Sequence, residues 1–325
     1  MTYRVAQFSD LHFFSSKDFR VVDVFTKRLP SLINGKFASN RVFDTALFPD
    51  MLRDAHNEGT DNVLITGDLT CLGTREEFTL CRDALLSSPF YVDNTPLPRI
   101  EDDPYPVKSN NQIWCCPGNH DDLVYSFSSY KTYEIMRPFM PPEFPRVLSL
   151  GPLDVLLLNS SFGQILPTSA RGKVDYNQRL LARKQLANRD DSTPLMTCLH
   201  HSPTRRTLPT HALLEEAAFE QFVSGQDESG VFSSSKLVSD YVIHGHTHKP
   251  LISKPFTYSD TLVCDSGSST LAFMNHCPSY LIYEFETSRQ NDKDCLSRVL
   301  KRSFQDEGKV IETCVWSTGD QVCNE

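Results

Sequence analysis

No Cys-x-x-Cys pair occurs in this sequence, although ten cysteines are scattered through it, at positions 71, 81, 115, 116, 198, 264, 277, 295, 314 and 323. Thiols without metal-ligand spacing argue against a cysteine-built zinc site, and in a long chain with no secretory signal they are expected to be reduced. Cys115, Cys116 and Cys198 stand in apolar runs, as small buried hydrophobes do. Long hydrophobic runs are missing too. The longest, around Val155 to Leu158, is cut short by Asn159 and Ser160, far from the ~20 residues that cross a bilayer. Met1 to Asp10 run into a strand pattern with no apolar core and cleavage site, so a cytoplasmic protein is expected. Positive charge is in deficit: 32 Lys and Arg face 41 Asp and Glu, a net charge of −9. That balance disfavours nucleic acid as a partner, because neutralising phosphates requires clustered cations. A Gly-x-Ser-x-Gly elbow, an organised Cys/His signature and a Gly-x-x-x-x-Gly-Lys-Ser/Thr loop are all absent, which removes the usual signs of Ser or Cys nucleophiles and of a bound nucleotide cofactor. There is no internal repeat and no low-complexity tract.

What is present is an ordinary globular composition, 39% apolar and 22% charged, enough to bury a sizeable core. Short apolar runs alternate with stretches of helical periodicity, which predicts an α/β fold. We read residues 1–325 as a single domain. Val63–Thr66, Gln112–Cys116, Val155–Leu158, Leu195–Leu199 and Tyr241–His244 read as buried strands. Thr45–Gly59, Glu76–Leu86 and Tyr176–Leu186 read as helices. Residues 93–108 and 137–145 are proline-rich and predict irregular connections. Ser279–Phe285 and Arg298–Phe304 are β-rich and are expected to be antiparallel strands finishing a second sheet.

Five strand-like runs end in potential metal ligands: Asp10 and His12, Asp68, Asn119-His120-Asp121, His200-His201, and His244-Gly-His246-Thr-His248. Each fragment alone is weak. Together they place seven of the ten histidines at strand ends, mixed with carboxylates and an amide. In open α/β sheets the carboxyl ends of strands converge on one crevice. Imidazole, carboxylate and amide donors without thiolate suit manganese, iron, zinc or cobalt. An even split of the donors predicts two divalent ions, with Asp68 as the natural bridge, clamping the attacking and leaving oxygens of an in-line displacement.

This set of motifs, in this order, resembles the calcineurin-like metallophosphoesterase superfamily over roughly residues 3–270. The resemblance implies two packed mixed β-sheets flanked by helices. It implies Asp10, His12, Asp68 and His248 on one ion, and Asp68, Asn119, His200 and His246 on the other. His120 would protonate or stabilise the leaving oxygen without binding metal, and Asp121 would orient it through a hydrogen bond. The implied reaction is attack by a metal-bridging hydroxide on phosphorus. The choice between His200 and His201 stays open on the residues alone, because neighbours on a strand face opposite ways. The family pattern favours His200, and Ser202 departs from its commonest His-His-Pro-Pro form.

Between the first two motifs, residues 13–48 hold seven phenylalanines and six Lys or Arg against three Asp. Val21, Val22, Phe25, Leu29, Leu32 and Ile33 fall near one helical face, with Lys27, Arg28, Lys36 and Arg41 around it, although Pro30 interrupts it. A lid-like insertion covering the core and a basic face contacting a membrane surface or acyl chain both fit. Lys27, Arg28, Arg205 and Arg206 are candidate substrate contacts. The combination looks like the UDP-2,3-diacylglucosamine pyrophosphatases of lipid A synthesis, which implies a nucleotide-lipid substrate and peripheral contact with the inner membrane. A cyclic-nucleotide or other small phosphodiester is the alternative substrate. A non-catalytic scaffold of the same fold is the alternative role, but such proteins usually lack ligands and this chain lacks none.

Overall fold

The computed structural model describes residues 2–19, 23, 26, 28–29, 31–32, 42–92, 112–123, 134–163, 169–204, 208–226, 238–272, 276–287, 294–305 and 309–318. In chain order the strands are β1 (Thr2–Phe8), β2 (Val42–Phe43), β3 (Asn62–Ile65), β4 (Ile113–Cys115), β5 (Arg146–Leu150), β6 (Leu153–Leu157), β7 (Gly172–Lys173) and β8 (Leu195–Cys198). They continue with β9 (Leu213–Leu214), β10 (Tyr241–His244), β11 (Leu251–Ser253), β12 (Leu262–Asp265), β13 (Leu271–Ala272), β14 (Ser279–Thr287), β15 (Asp294–Phe304) and β16 (Val310–Ser317). Helices whose bounds fall within the described residues are α1 (Phe48–Asn57), α2 (Arg75–Leu86), α3 (Tyr176–Leu186) and α4 (Glu216–Val223).

Two six-stranded sheets form, in the orders β16-β15-β14-β1-β3-β4 and β11-β12-β10-β8-β6-β5. Each is mixed. β1 pairs parallel with β3 and antiparallel with β14, while β6, β8, β10 and β12 run parallel between antiparallel edges. The strand periodicity of two sorts side chains into layers. Val5, Leu64, Trp114, Val155, Met196 and Ile243 fill the space between the sheets. The residues next to them, Ala6, Val63 and Ile113, face α1 and α2, whereas Leu156, Leu195 and Val242 face α3 and α4. The result is the predicted helix–sheet–sheet–helix stack.

The helices form where spacing and caps agree. In α1 the buried positions are Phe48, Met51, Leu52 and Ala55, a single face at i, i+3, i+4 and i+7. α2 starts with a capping box in which Thr74 and Glu77 satisfy each other's backbone donors. One expectation fails. β14, β15 and β16 extend the first sheet beside β1 rather than finishing the second. Their apolar alternation required a buried face, but the face was already available against β1, and strand pattern carries no information about partner.

Candidate metal centre

All five ligand clusters lie where strands end: Asp10 and His12 after β1, Asp68 after β3, Asn119 to Asp121 after β4, His200 and His201 after β8, and His246 and His248 after β10. The first three come from one sheet and the last two from the other. The site therefore sits across the seam of the sandwich. Turning the chain sharply at these ends requires unusual backbone. Among the described residues, six non-glycine residues have positive φ, and five of them are Asp10, His12, Asp68, His246 and His248, at φ 51 to 74. Left-handed backbone at such residues costs about 1–3 kcal/mol each and collects at functional sites. Gly118 is fixed for a related reason: a Cβ there would collide with the backbone nitrogen and carboxylate of Asp68.

The donor atoms form two groups. His12 Nε2 lies 3.2 Å from His248 Nε2, and His248 Nε2 lies 3.2 Å from Asp10 Oδ1. On the other side, His200 Nε2 lies 3.1 Å from Asn119 Oδ1 and 3.2 Å from His246 Nδ1. Asp68 stands between the groups, its Oδ2 3.8 Å from His12 Nε2 and 3.3 Å from His200 Nε2. Its other oxygen, Oδ1, accepts the backbone N–H of His120 at 2.8 Å. One carboxylate oxygen is thus tied down and the other is shared.

Backbone carbonyls set the histidine tautomers. His200 Nδ1 donates to Thr66 O at 2.7 Å, leaving Nε2 to face Asp68. His246 Nε2 donates to His211 O at 3.1 Å, leaving Nδ1 to face His200. Such outer hydrogen bonds orient ligating imidazoles. His201 differs. Ser160 Oγ accepts the backbone N–H groups of His200 and His201 at 3.3 and 3.2 Å, so its own hydroxyl donates to His201 Nδ1 at 2.8 Å. That puts the His201 proton on Nε2, which has no lone pair to offer a metal.

These residues fit a pair of cations. Asp10 Oδ2 accepts from Ser9 Oγ and His246 N, but Oδ1 is buried without a hydrogen-bond donor among the described residues, beside the imidazoles of His12 and His248. An orphaned carboxylate oxygen facing ring nitrogens is the arrangement a divalent ion satisfies. The charge balance agrees. Burial favours the neutral carboxyl at Asp10, yet His248 and His200 hold it below the usual range; Asp68 behaves alike, with His200 and His120 opposing burial. His12 and His246 are pushed down to about 3 by burial, with His120 and His200 respectively adding repulsion. His200 alone goes up, to about 10, because Asp68 outweighs its burial. Two carboxylates here demand positive charge.

His120 and Asp121 depart from one expectation. Asp121 does not orient His120. Its Oδ2 accepts Leu69 N and Gly118 N at 3.1 and 2.8 Å, and its Oδ1 accepts Thr70 N and Thr70 Oγ1 at 3.0 and 2.8 Å. It ties the Asp68 loop to the Asn119 loop. His120 is held instead by Cys71 O, which accepts from Nδ1 at 2.8 Å, and one of its ring nitrogens lies within 4.8 Å of donor atoms on His12 and Asp68. Its ring stands edge-on to His12, with centroids 4.9 Å apart. Sequence reading also missed Phe43 on β2, whose ring packs 4.4 Å from that of His12. The phenylalanine-rich composition of residues 13–48 was the available signal.

The candidate substrate contacts fare differently. Lys27, Arg205 and Arg206 lie outside the described residues, as do Val21, Val22, Phe25, Ile33, Lys36, Arg41 and the loop 93–108. Arg28 turns inward, 8% exposed. Its guanidinium donates to Leu72 O, Gly73 O and Asp23 Oδ1, so it braces the loop before α2 rather than presenting charge to a membrane. Among the described residues no helix is long and apolar enough to cross a bilayer.

A dimetal phosphatase from Danio rerio is similar in structure, with a TM-score of 0.55 and 11% identity over 97% of this chain and 99% of that one. A purple acid phosphatase from yellow lupin (Lupinus luteus) seeds gives a TM-score of 0.49 and 13% identity over 96% of this chain and 53% of that one. At 11% identity the likeness to the Danio rerio phosphatase speaks for the fold alone. No curated protein matches by sequence. The model of the calcineurin-like phosphoesterase family matches residues 3–250, a span that takes in all five ligand clusters. The chain belongs to that family and is a metal-dependent phosphoesterase.

Proposed function

We propose that the protein hydrolyses a phosphodiester or pyrophosphate bond with two divalent ions, held by Asp10, His12, Asp68 and His248 on one side and by Asp68, Asn119, His200 and His246 on the other. The observation that carries this reading is Asp68, whose Oδ2 is shared between the His12 and His200 groups while Oδ1 is anchored to His120 N. Two such ions lower the pKa of water and neutralise charge developing on the phosphoryl oxygens. Everything else falls to the side chains. The carbonyls of Thr66 and His211 keep His200 and His246 in ligating tautomers. His120 keeps one proton on Nδ1 for Cys71 O. Its imidazolium gives up the Nε2 proton to the leaving oxygen and returns to the neutral tautomer that this bond favours.

Manganese is the assay metal we choose, since these donors accept it. With it the protein is expected to cleave bis-p-nitrophenyl phosphate, and Asp68→Ala or Asn119→Ala to abolish cleavage. Full activity in either variant overturns the assignment. Within this reaction class the narrower expectation is a nucleotide-lipid pyrophosphate. Phe43 beside His12 lends it an apolar wall at the site. A direct comparison of UDP-2,3-diacylglucosamine with cyclic AMP in detergent decides; cleavage of the cyclic nucleotide alone removes the lipid reading.

A further inference from the structure

The Cys71 carbonyl that holds His120 belongs to a peptide group with a second partner. In a trans peptide the C=O of one residue and the N–H of the next point opposite ways. Cys71 O accepts from His120 Nδ1 at 2.8 Å, and the N–H of the same unit, that of Leu72, donates to Glu77 Oε2 at 2.8 Å. One peptide plane therefore stands between a carboxyl group and the imidazole. Negative charge on the N–H side polarises the amide and makes its oxygen a stronger acceptor, as expected of hydrogen-bond chains in a low-dielectric interior.

Glu77 sits on the first turn of α2 and does more there than cap a helix. Its side chain is buried. The capping-box contact to Thr74 N is long, 3.4 Å, against 2.8 Å to Leu72 N. Its other oxygen accepts Ser15 N at 3.0 Å, so one carboxyl group joins the chain leaving His12 to the loop that carries Cys71. Burial pushes Glu77 up to about 7, while the three N–H donors and the charge of Arg28 favour the carboxylate. Arg28 grips the same loop through Leu72 O and Gly73 O, at 2.8 and 2.9 Å. Cys71 N donates to Phe13 O at 2.9 Å, and Cys71 Sγ donates to His12 O at 3.2 Å. The acceptor of the His120 proton is thus fixed from both directions along the chain.

We propose that Glu77 is a positioning residue for His120: its carboxylate fixes and polarises the Cys71–Leu72 peptide, which holds the imidazole toward the leaving oxygen, and Arg28 clamps the same loop. This rests on the proposed reading in which His120 serves the leaving group, so the test separates the two. Misplacing an acid costs most when the departing oxygen is strongly basic. Manganese-loaded protein is assayed in alkaline buffer, where Glu77 is ionised, with methyl p-nitrophenyl phosphate and methyl phenyl phosphate, which differ in the basicity of the phenolate released. Glu77→Gln is expected to lower kcat roughly tenfold on the phenyl ester and less than about twofold on the p-nitrophenyl ester, with metal content unchanged. Arg28→Met, which leaves the α2 cap in place, is expected to show the same selectivity. Thr74→Ala, which opens the cap but spares the Leu72 bond, is expected to treat the two esters alike. Equal losses on both esters in Glu77→Gln and Arg28→Met, or no loss, overturn the proposal. A second readout needs no turnover. In zinc-loaded protein with isotopically labelled histidine, the His120 Nδ1 proton, assigned by its absence in His120→Ala, is expected to resonate downfield and to move upfield in Glu77→Gln. A signal that stays in place overturns the link. If neither ester is cleaved, the reading of the site fails, and the proton shift alone decides whether Glu77 acts on His120.

Discussion

At the scale of single residues, the proposed reading separates ligands from a proton carrier at His120. Among the described residues, the His120 ring is held through Nδ1, which donates to Cys71 O. His120→Ala is therefore expected to lower kcat by roughly 10²–10⁴-fold, the usual worth of a positioned acid, with metal content by elemental analysis unchanged. Loss of metal would make it a ligand. His200 gives a prediction of a different kind. Asp68 raises it to about 10 despite burial, so without metal it keeps its proton at neutral pH. A cation must displace that proton from Nε2, so binding at this group is expected to release one proton and to weaken about tenfold per unit as pH falls below that value. Calorimetry in two buffers of different ionisation heat measures the release; equal heats in both would contradict it.

At the scale of elements, the strand ends carry the chemistry and the loops between them carry the geometry. Gly118 shows how tightly. A Cβ there would overlap the backbone nitrogen and carboxylate of Asp68, and Gly118→Ala is expected to cut activity and metal binding together, while thermal unfolding still shows a cooperative transition. Thr74→Ala, which opens the capping box of α2, is expected to cost about 1 kcal/mol of stability with no change in metal content, measured by denaturant unfolding. The same division explains what was legible in the sequence. That Asp10, His12, Asp68, Asn119, His200, His246 and His248 gather at strand ends could be read because side-chain type there is written in the residues. The carbonyls of Thr66, Cys71 and His211 could not, since every residue has one and only the fold aims it. Asp121 was misread because adjacency in sequence was taken for adjacency in space; its carboxylate points back to Thr70 and Gly118. Arg28 was misread because charge predicts exposure on average, and three acceptors inside the fold outweigh that average.

At the scale of the molecule, the two sheets meet over a shared core, and the ligands draw on both of them. Metal binding is thus expected to stabilise the whole sandwich rather than one loop. At a hundredfold excess over its dissociation constant a single ion adds about 2.7 kcal/mol, and the melting temperature is expected to rise with manganese and fall with chelator. No shift on chelation would separate the site from the fold's stability. The C-terminal strands belong to the same account. β15 supplies Leu296, Val299, Leu300 and Phe304 to the cores on the two faces of the first sheet, so a chain ended before residue 294 is expected to aggregate, as sedimentation would show.

The left-handed backbone at Asp10, His12, Asp68, His246 and His248 has a consequence for anyone who would copy this centre into another scaffold. Grafting seven side chains onto regular strand ends would reproduce the inventory and miss the bends that aim it. The transplantable unit is a set of hairpin-tight corners with their glycines, and the side chains come second.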